Sequence, residues 1–192
     1  MKILRISLWA LVVLVGGWAG YLALNKAGPE AVPAFGAEFE LQATNGESLT
    51  QDDMLGRPHL VFFGFTHCPE VCPTTLYEIS GWMEEIGDPA KALDIYFVSV
   101  DPERDNQEVL TNYLSPFGPQ VIGLTGSAEE IDKAAKGYHV YYKKVPLEDG
   151  DYTMDHTARI ALMKPDGSLM STIAWDENSD TAVQKLKNLL KR

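Results

Sequence analysis

Cysteine is scarce in this chain: two in 192 residues, Cys68 and Cys72, within one run of five. They permit a single disulfide closing a loop of about five residues, which contributes only ~2 kcal/mol on loop-entropy grounds. A domain of this size does not need such a staple. Positive charge is also short, with 16 Lys and Arg against 27 Asp and Glu, for a formal net charge of -11. An acidic chain without a basic stripe repels phosphate backbones, so nucleic acid is excluded as the expected partner. No internal repeat is present. A composition of 45% hydrophobic and 22% charged residues excludes a disordered chain or a fibre, and the length suits one well-buried domain.

Charge is missing altogether from residues 6–24, a run of 19 residues dominated by Leu, Val, Ala and Gly. At about 1.5 Å per residue it just spans a hydrocarbon core of ~30 Å. Lys2 and Arg5 precede it and keep residues 1–5 cytoplasmic by the positive-inside rule. Removing these two from 16 leaves 14 basic against 27 acidic residues beyond the run. The competing reading is a cleaved signal peptide, for which Gly17-Trp18-Ala19 is a passable site. The apolar stretch continues five residues past that point, which favours a retained transmembrane anchor. No cysteine follows it, against a lipoprotein, and no transit peptide precedes it, which suggests a bacterial protein.

Residues 25–36 (NKAGPEAVPAFG) lack periodicity and read as a linker. From 37 to 192 strand and helix patterns alternate. Phe39 and Leu41 mark a short strand before an Asn45-Gly46 turn, and HLVFFGF at 59–65 reads as a buried central strand. Leu76, Ile79, Met83 and Ile86 give a helix over 73–86, stopped by Gly87. A second buried strand is expected at 95–100. Asp105 and Glu108 suggest a capping box for a helix ended by Pro116. After a strand at 121–124, Ser127 and Glu130 suggest another, for a helix ended by Gly137. Strands are expected at 138–145, 157–164 and 168–174, the last two joined by Asp166-Gly167. Val183, Leu186, Leu189 and Leu190 close the chain with an amphipathic helix. The order implies an α/β fold, a mixed sheet covered by helices on both faces, compatible with a thioredoxin-like fold.

The two cysteines stand in FTHCPEVCP, between the buried strand and the helix. Pro73 suits a first helical turn and biases Cys72 away from helical geometry, so both sulfurs are expected on the entry loop, where a helix N-terminus favours thiolates. Three roles compete: a structural disulfide, a catalytic dithiol, or a soft-metal site. Dithiol enzymes of thioredoxin type use Cys-x-x-Cys, and the extra residue alters the spacing. Two thiolates suit Cu(I) or Zn(II), and an imidazole can complete a three-coordinate copper site. Cys-x-x-x-Cys alone does not separate the dithiol from the metal site. Of the four histidines, His59 opens the central strand and His139 sits in a strand pattern. His67 adjoins Cys68 too closely for both to converge on one ion. His156, after an acidic turn over 146–151, is the best of the four, with Asp155 beside it as a candidate acceptor to fix the ring.

FGFTHCPEVCPTTL, VSVDPERD, LTGSAEEI and YYKKVPLEDGDYTMDHTARIALMKPDG, in this order from about 35 to 190, resemble the Sco/SenC family. The CPxVCP loop with a distant Asp-His is highly specific for it. The resemblance implies a thioredoxin-like fold modified for copper, one Cu(I) or Cu(II) per domain, and Cys68, Cys72 and His156 as ligands. It implies a mobile loop before His156, and Asp101 matches a family position near the site, although it reads equally well as a cap or turn residue. It further implies delivery of copper to the dinuclear centre of cytochrome c oxidase subunit II, or reduction of that subunit's cysteines, with no catalytic turnover required. Other extracytoplasmic copper chaperones or thiol reductases are further partners it allows. The expected location is the bacterial cytoplasmic membrane, with the domain in the periplasm. The alternative is a metal-free thiol–disulfide oxidoreductase or redox sensor. Intact-mass measurement on membrane-extracted protein should find residues 6–24 retained; a soluble chain beginning near Gly20 would defeat the anchor.

Overall fold

The computed structural model describes residues 15–18, 35, 36, 38–148 and 150–191. The chain divides into two units, Met1–Pro33 and Ala34–Arg192. In the first, only residues 15–18 are described, and they are helical. The rest of the 6–24 span and the linker up to residue 34 lie outside the described residues. Among the described residues no helix is long and apolar enough to cross a membrane. The last two residues of the linker stretch already belong to the second unit: Phe35 meets the Tyr138 ring edge-on at 5.4 Å, and Gly36 donates to the Gly137 carbonyl.

In the second unit, strands β1 (Glu40–Ala43) and β2 (Ser48–Thr50) form a hairpin turned by Asn45-Gly46, with Gly46 at φ +89 as a tight turn requires. Next come β3 (His59–Gly64), α1 (Val71–Ile86), β4 (Asp94–Ser99), α2 (Gln107–Leu114), β5 (Val121–Thr125) and α3 (Ala128–Gly137). β6 (Tyr142–Pro146) and β7 (Tyr152–His156) follow, then β8 (Arg159–Met163), β9 (Leu169–Ala174) and α4 (Ser179–Leu190). The main sheet has the order β2-β1-β5-β4-β3-β8-β9, parallel across β5, β4 and β3 and antiparallel elsewhere. This is the expected mixed, thioredoxin-like sheet.

Every residue of β3 is buried, as is all of β4 except Asp94, because helices cover both faces. Phe62 and Phe97 pack together at 5.9 Å on one face, where Tyr113 of α2 also meets Phe97. Phe63 points the other way and meets Tyr138 just beyond α3 at 5.6 Å. Burying the large apolar side chains of these two strands at about 25 cal/mol per Å² is the main stabilising term of the domain.

Several local expectations give way to the structure. α1 begins at Val71, so Cys72 lies inside the first helical turn and not on the loop before it. Pro73 is tolerated there because its missing N–H has no helical acceptor in the first turn anyway. Asn106, not Asp105, caps α2, its side chain accepting from the Val109 N–H. Ser127 caps α3 as expected, but Glu130 bonds the Glu40 N–H and so does not close the box. The strand expected at 138–145 begins only at Tyr142, because His139 sits in a turn at φ +52. A strand the sequence reading passed over, β7, pairs with β6 as a separate two-stranded ribbon.

Gly64 ends β3 directly beneath the site. A Cβ there would lie 2.8 Å from the Phe97 ring and 2.9 Å from Cys72 Sγ. Gly64→Ala should therefore cost about 1–3 kcal/mol by overpacking. An unfolding midpoint in urea equal to the parent's would show that no such wedge exists.

Candidate metal centre

The site lies at the carboxyl ends of the parallel strands, where open α/β sheets generally place ligands. β3 delivers the chain through Phe65 to the loop 66–70, and α1 leads it away. α1 has no side-chain cap and no acidic residue in its first turn. Its positive end is instead occupied by sulfur: the Cys72 N–H donates to Cys68 Sγ at 3.4 Å. Cys68 thus does the work of a capping acceptor, in the place where the helix dipole favours a thiolate.

A buried carboxylate fixes the loop. Asp105 is fully buried and accepts from the Thr66 N–H at 3.0 Å, the Thr66 hydroxyl at 2.5 Å and the Ser99 hydroxyl at 2.6 Å. Its carbonyl accepts from the Thr125 hydroxyl at 2.7 Å. One residue therefore joins the loops after β3 and β4 to the end of β5.

The third side chain arrives on β7. His156 is half-buried and ends that strand, its Nε2 3.6 Å from Cys72 Sγ. Its ring stands perpendicular to Phe65 at 5.8 Å and packs on Phe62 at 6.4 Å. Nδ1 faces the Thr157 carbonyl at 3.3 Å. A backbone carbonyl therefore occupies the orienting place considered for Asp155, which is exposed because neighbouring strand residues point to opposite faces. The ligand atoms of Cys68, Cys72 and His156 all lie within 4.8 Å of one another, and they form the one such His/Cys/Asp/Glu group among the described residues. His59 is buried against the Arg57 carbonyl, His67 is exposed beside Thr66, and His139 is in the turn after α3. None of the three enters the group.

Both cysteines are free, and they are unequal. The Cys72 thiol acts as hydrogen-bond donor to Cys68 and holds the Cys68 thiol well below its usual range, against the opposing effect of burial; His156 adds to the lowering. Cys72 is pushed up by the same hydrogen bond, by its own burial and by the Cys68 charge. The pair therefore keeps one proton, on the buried Cys72, and presents Cys68 as the thiolate. A thiolate, a thiol ready to become one and an imidazole are a soft donor set with no hard oxygen among them, which suits copper or zinc and not magnesium or calcium.

The SCO1/SenC family model matches residues 27–191. The chain belongs to the SCO1/SenC family. The human protein SCO1 homolog, mitochondrial, is 43% identical over 141 residues, covering 72% of this chain and 47% of its own length. The structure of Bradyrhizobium japonicum ScoI with copper bound is 47% identical with a TM-score of 0.74, covering 80% of this chain and 98% of that one. Arabidopsis thaliana ScoI with copper bound is 34% identical with a TM-score of 0.77, covering 82% and 99%. The SCO1/SenC chain spans about half the length of the first curated relatives it matches.

Sequence reasoning missed the residues around the donors. Thr66 and Asp105 are far apart in sequence, and Asp105 looked like a helix cap. Tyr152 was passed over with β7, although YTMDH alternates with the period of a half-buried strand. Asp101, read as either a site residue or a turn residue, is 2% exposed and accepts from the Tyr152 hydroxyl at 2.8 Å.

Unequal thiols give a pH-dependent test on reduced, metal-free protein. Only thiolate reacts with iodoacetamide, and at about pH 6 an ordinary thiol with pKa ~8.5 is under about 1% ionised. A lowered Cys68 pKa keeps its thiolate populated there, so Cys68 should alkylate at that pH while Cys72 stays unmodified. Cys72→Ala removes the donor and should slow Cys68 severalfold. Equal labelling of both residues would contradict the assignment.

Proposed function

We propose that this domain binds one copper ion between Cys68 Sγ, Cys72 Sγ and His156 Nε2, and serves cytochrome c oxidase assembly. The observation that carries the reading is the convergence of these three donor atoms within 4.8 Å, although His156 lies 84 residues beyond Cys72 in sequence. Family membership and the copper-bound state of the ScoI relatives support copper over zinc. The two sulfurs suit Cu(I), and the imidazole extends the site to Cu(II). Cys68 offers a preformed thiolate, Cys72 loses its proton on metal binding, and the Thr157 carbonyl presents Nε2 by engaging Nδ1. Delivery to the copper centre of subunit II, from an anchor at 6–24 that holds the domain on the periplasmic face of the membrane, completes the proposal. Anchoring would raise the effective concentration at a membrane-bound target.

The unequal thiols favour a second reading, a thiol–disulfide reductant in which Cys68 attacks and Cys72 resolves. That role needs no histidine. His156→Ala distinguishes the two. The substitution should cut Cu(II) affinity severely and Cu(I) affinity less, leave the dithiol reversibly oxidisable, and abolish oxidase assembly in cells that contain normal amounts of the protein. Cys68→Ala or Cys72→Ala should each lose copper. Normal oxidase assembly and parental Cu(II) binding by His156→Ala would sink the chaperone reading and leave the reductant.

A further inference from the structure

The ribbon that presents His156 is not laddered to the main sheet: β6 and β7 pair with each other and form a sheet of their own. The main-sheet ladder takes up the chain only after β7, where the Ala158 carbonyl accepts from the Trp175 N–H, so within β7 the ribbon's own bonds and side-chain contacts set its course. Alternation along β7 puts Tyr152, Met154 and His156 on one face. Met154 is buried in the core and His156 reaches Cys72. Tyr152, four residues before His156, is gripped by the segment that follows β4.

The grip is dense. The Tyr152 hydroxyl donates to Asp101 Oδ1 at 2.8 Å, and its carbonyl accepts from Arg104 Nη1 at 3.0 Å. The Arg104 guanidinium lies 3.7 Å from the centre of the Tyr152 ring, and so does Lys144 Nζ, which pairs with Glu103 at 2.6 Å. Arg104 Nε closes the circuit on Asp101 Oδ2 at 2.5 Å. Asp101 is itself set from behind, its N–H donating to the Ser99 hydroxyl at 3.0 Å, and that hydroxyl donates to Asp105, which holds Thr66 two residues before Cys68. A single segment, 99–105, is thus bonded both to the loop of Cys68 and to the strand of His156.

We infer that Asp101 and Arg104 are positioning residues for the metal centre, acting through Tyr152 to set the reach of His156 toward the cysteines. The inference rests on the copper reading above. Asp101 and Arg104 touch no donor atom. Their effect on copper passes through the imidazole, so it must vanish when the imidazole is absent. A stack that merely stabilised the ribbon would have no such dependence.

Three substitutions on the whole domain test this. Tyr152→Phe removes the hydroxyl bond to Asp101 and keeps the ring between its cations. Arg104→Lys keeps a charge beside Asp101 and loses the planar fork that spans Asp101 and the Tyr152 carbonyl. Arg104→Met loses both. Cu(II) affinity should fall roughly tenfold in Tyr152→Phe and up to about 100-fold in Arg104→Met, the range for residues that orient a ligand, with Arg104→Lys between. Cu(I), held by two sulfurs, should change little. Electron paramagnetic resonance of the Cu(II) form should show weakened imidazole nitrogen coupling, and amide exchange in metal-free protein should quicken along β7. In a His156→Ala background the same substitutions should leave Cu(II) affinity where His156→Ala puts it. If Arg104→Met does not fold, Tyr152→Phe and Arg104→Lys decide. Parental nitrogen coupling and affinity in both, or equal losses with and without His156, overturn the inference while copper binding by the parent stands. A parent that takes up no copper overturns the copper reading, and this inference with it.

Discussion

A fully buried carboxylate must be surrounded by donors, because removing its charge from water without hydrogen bonds is far too costly. Asp105 meets that demand with the Thr66 N–H, the Thr66 hydroxyl and the Ser99 hydroxyl. Satisfying it obliges the loops after β3 and β4 to approach one another at one end of the sheet, and the Thr125 hydroxyl brings in the end of β5. The entry to α1 is then fixed, and with it the sulfur that lies over the helix N-terminus. Everything proposed for the site depends on this anchorage. Without it, the loop of Cys68 would keep local bonds, such as that of the Cys68 N–H to the Phe65 carbonyl, and lose its tie to the segments after β4 and at the end of β5.

The asymmetry of the two thiols follows from the same geometry. Cys72 is sealed between Gly64, Phe97 and the first turn of α1, while Cys68 is only half-buried over the dipole. Two chemically identical residues therefore start from different protonation states. The imidazole of His156 approaches from the side of Cys72, packed against Phe62 and Phe65, so aromatic rings of the central strand and the residue after it form the floor under the third donor. An apolar floor offers no competing ligand beside the two sulfurs and the imidazole.

Much of this was legible in the residues. The continuous run HLVFFGF marked the central strand because a strand buried on both faces has no polar alternation. Asp166-Gly167 marked the β8–β9 turn because φ is positive there, +77 at Gly167. The cysteine pair announced a site by position alone, between that strand and a helix. His156 was harder: pattern made it only the best of four, and family resemblance singled it out. What stayed hidden was long-range or overridden locally. Asp105 has a capping residue's chemistry and place, and only the fold shows that its carboxylate turns inward while Asn106 takes the cap. β7 was masked by the acidic turn before it. Pro73 argued against a helical Cys72, yet a first-turn proline sacrifices no hydrogen bond, and the helix extends past it. The run over 6–24 lies outside the described residues apart from one helical turn, so it stands on its sequence.

The central claim is that two sulfurs and one imidazole hold a single copper ion. X-ray absorption at the copper edge of the reduced, Cu(I)-loaded domain tests it most directly, because the fine structure counts donor types around the metal. The account predicts a shell of two sulfur atoms and one nitrogen, with the outer scattering of an imidazole ring. A shell of nitrogen and oxygen donors without sulfur would contradict it.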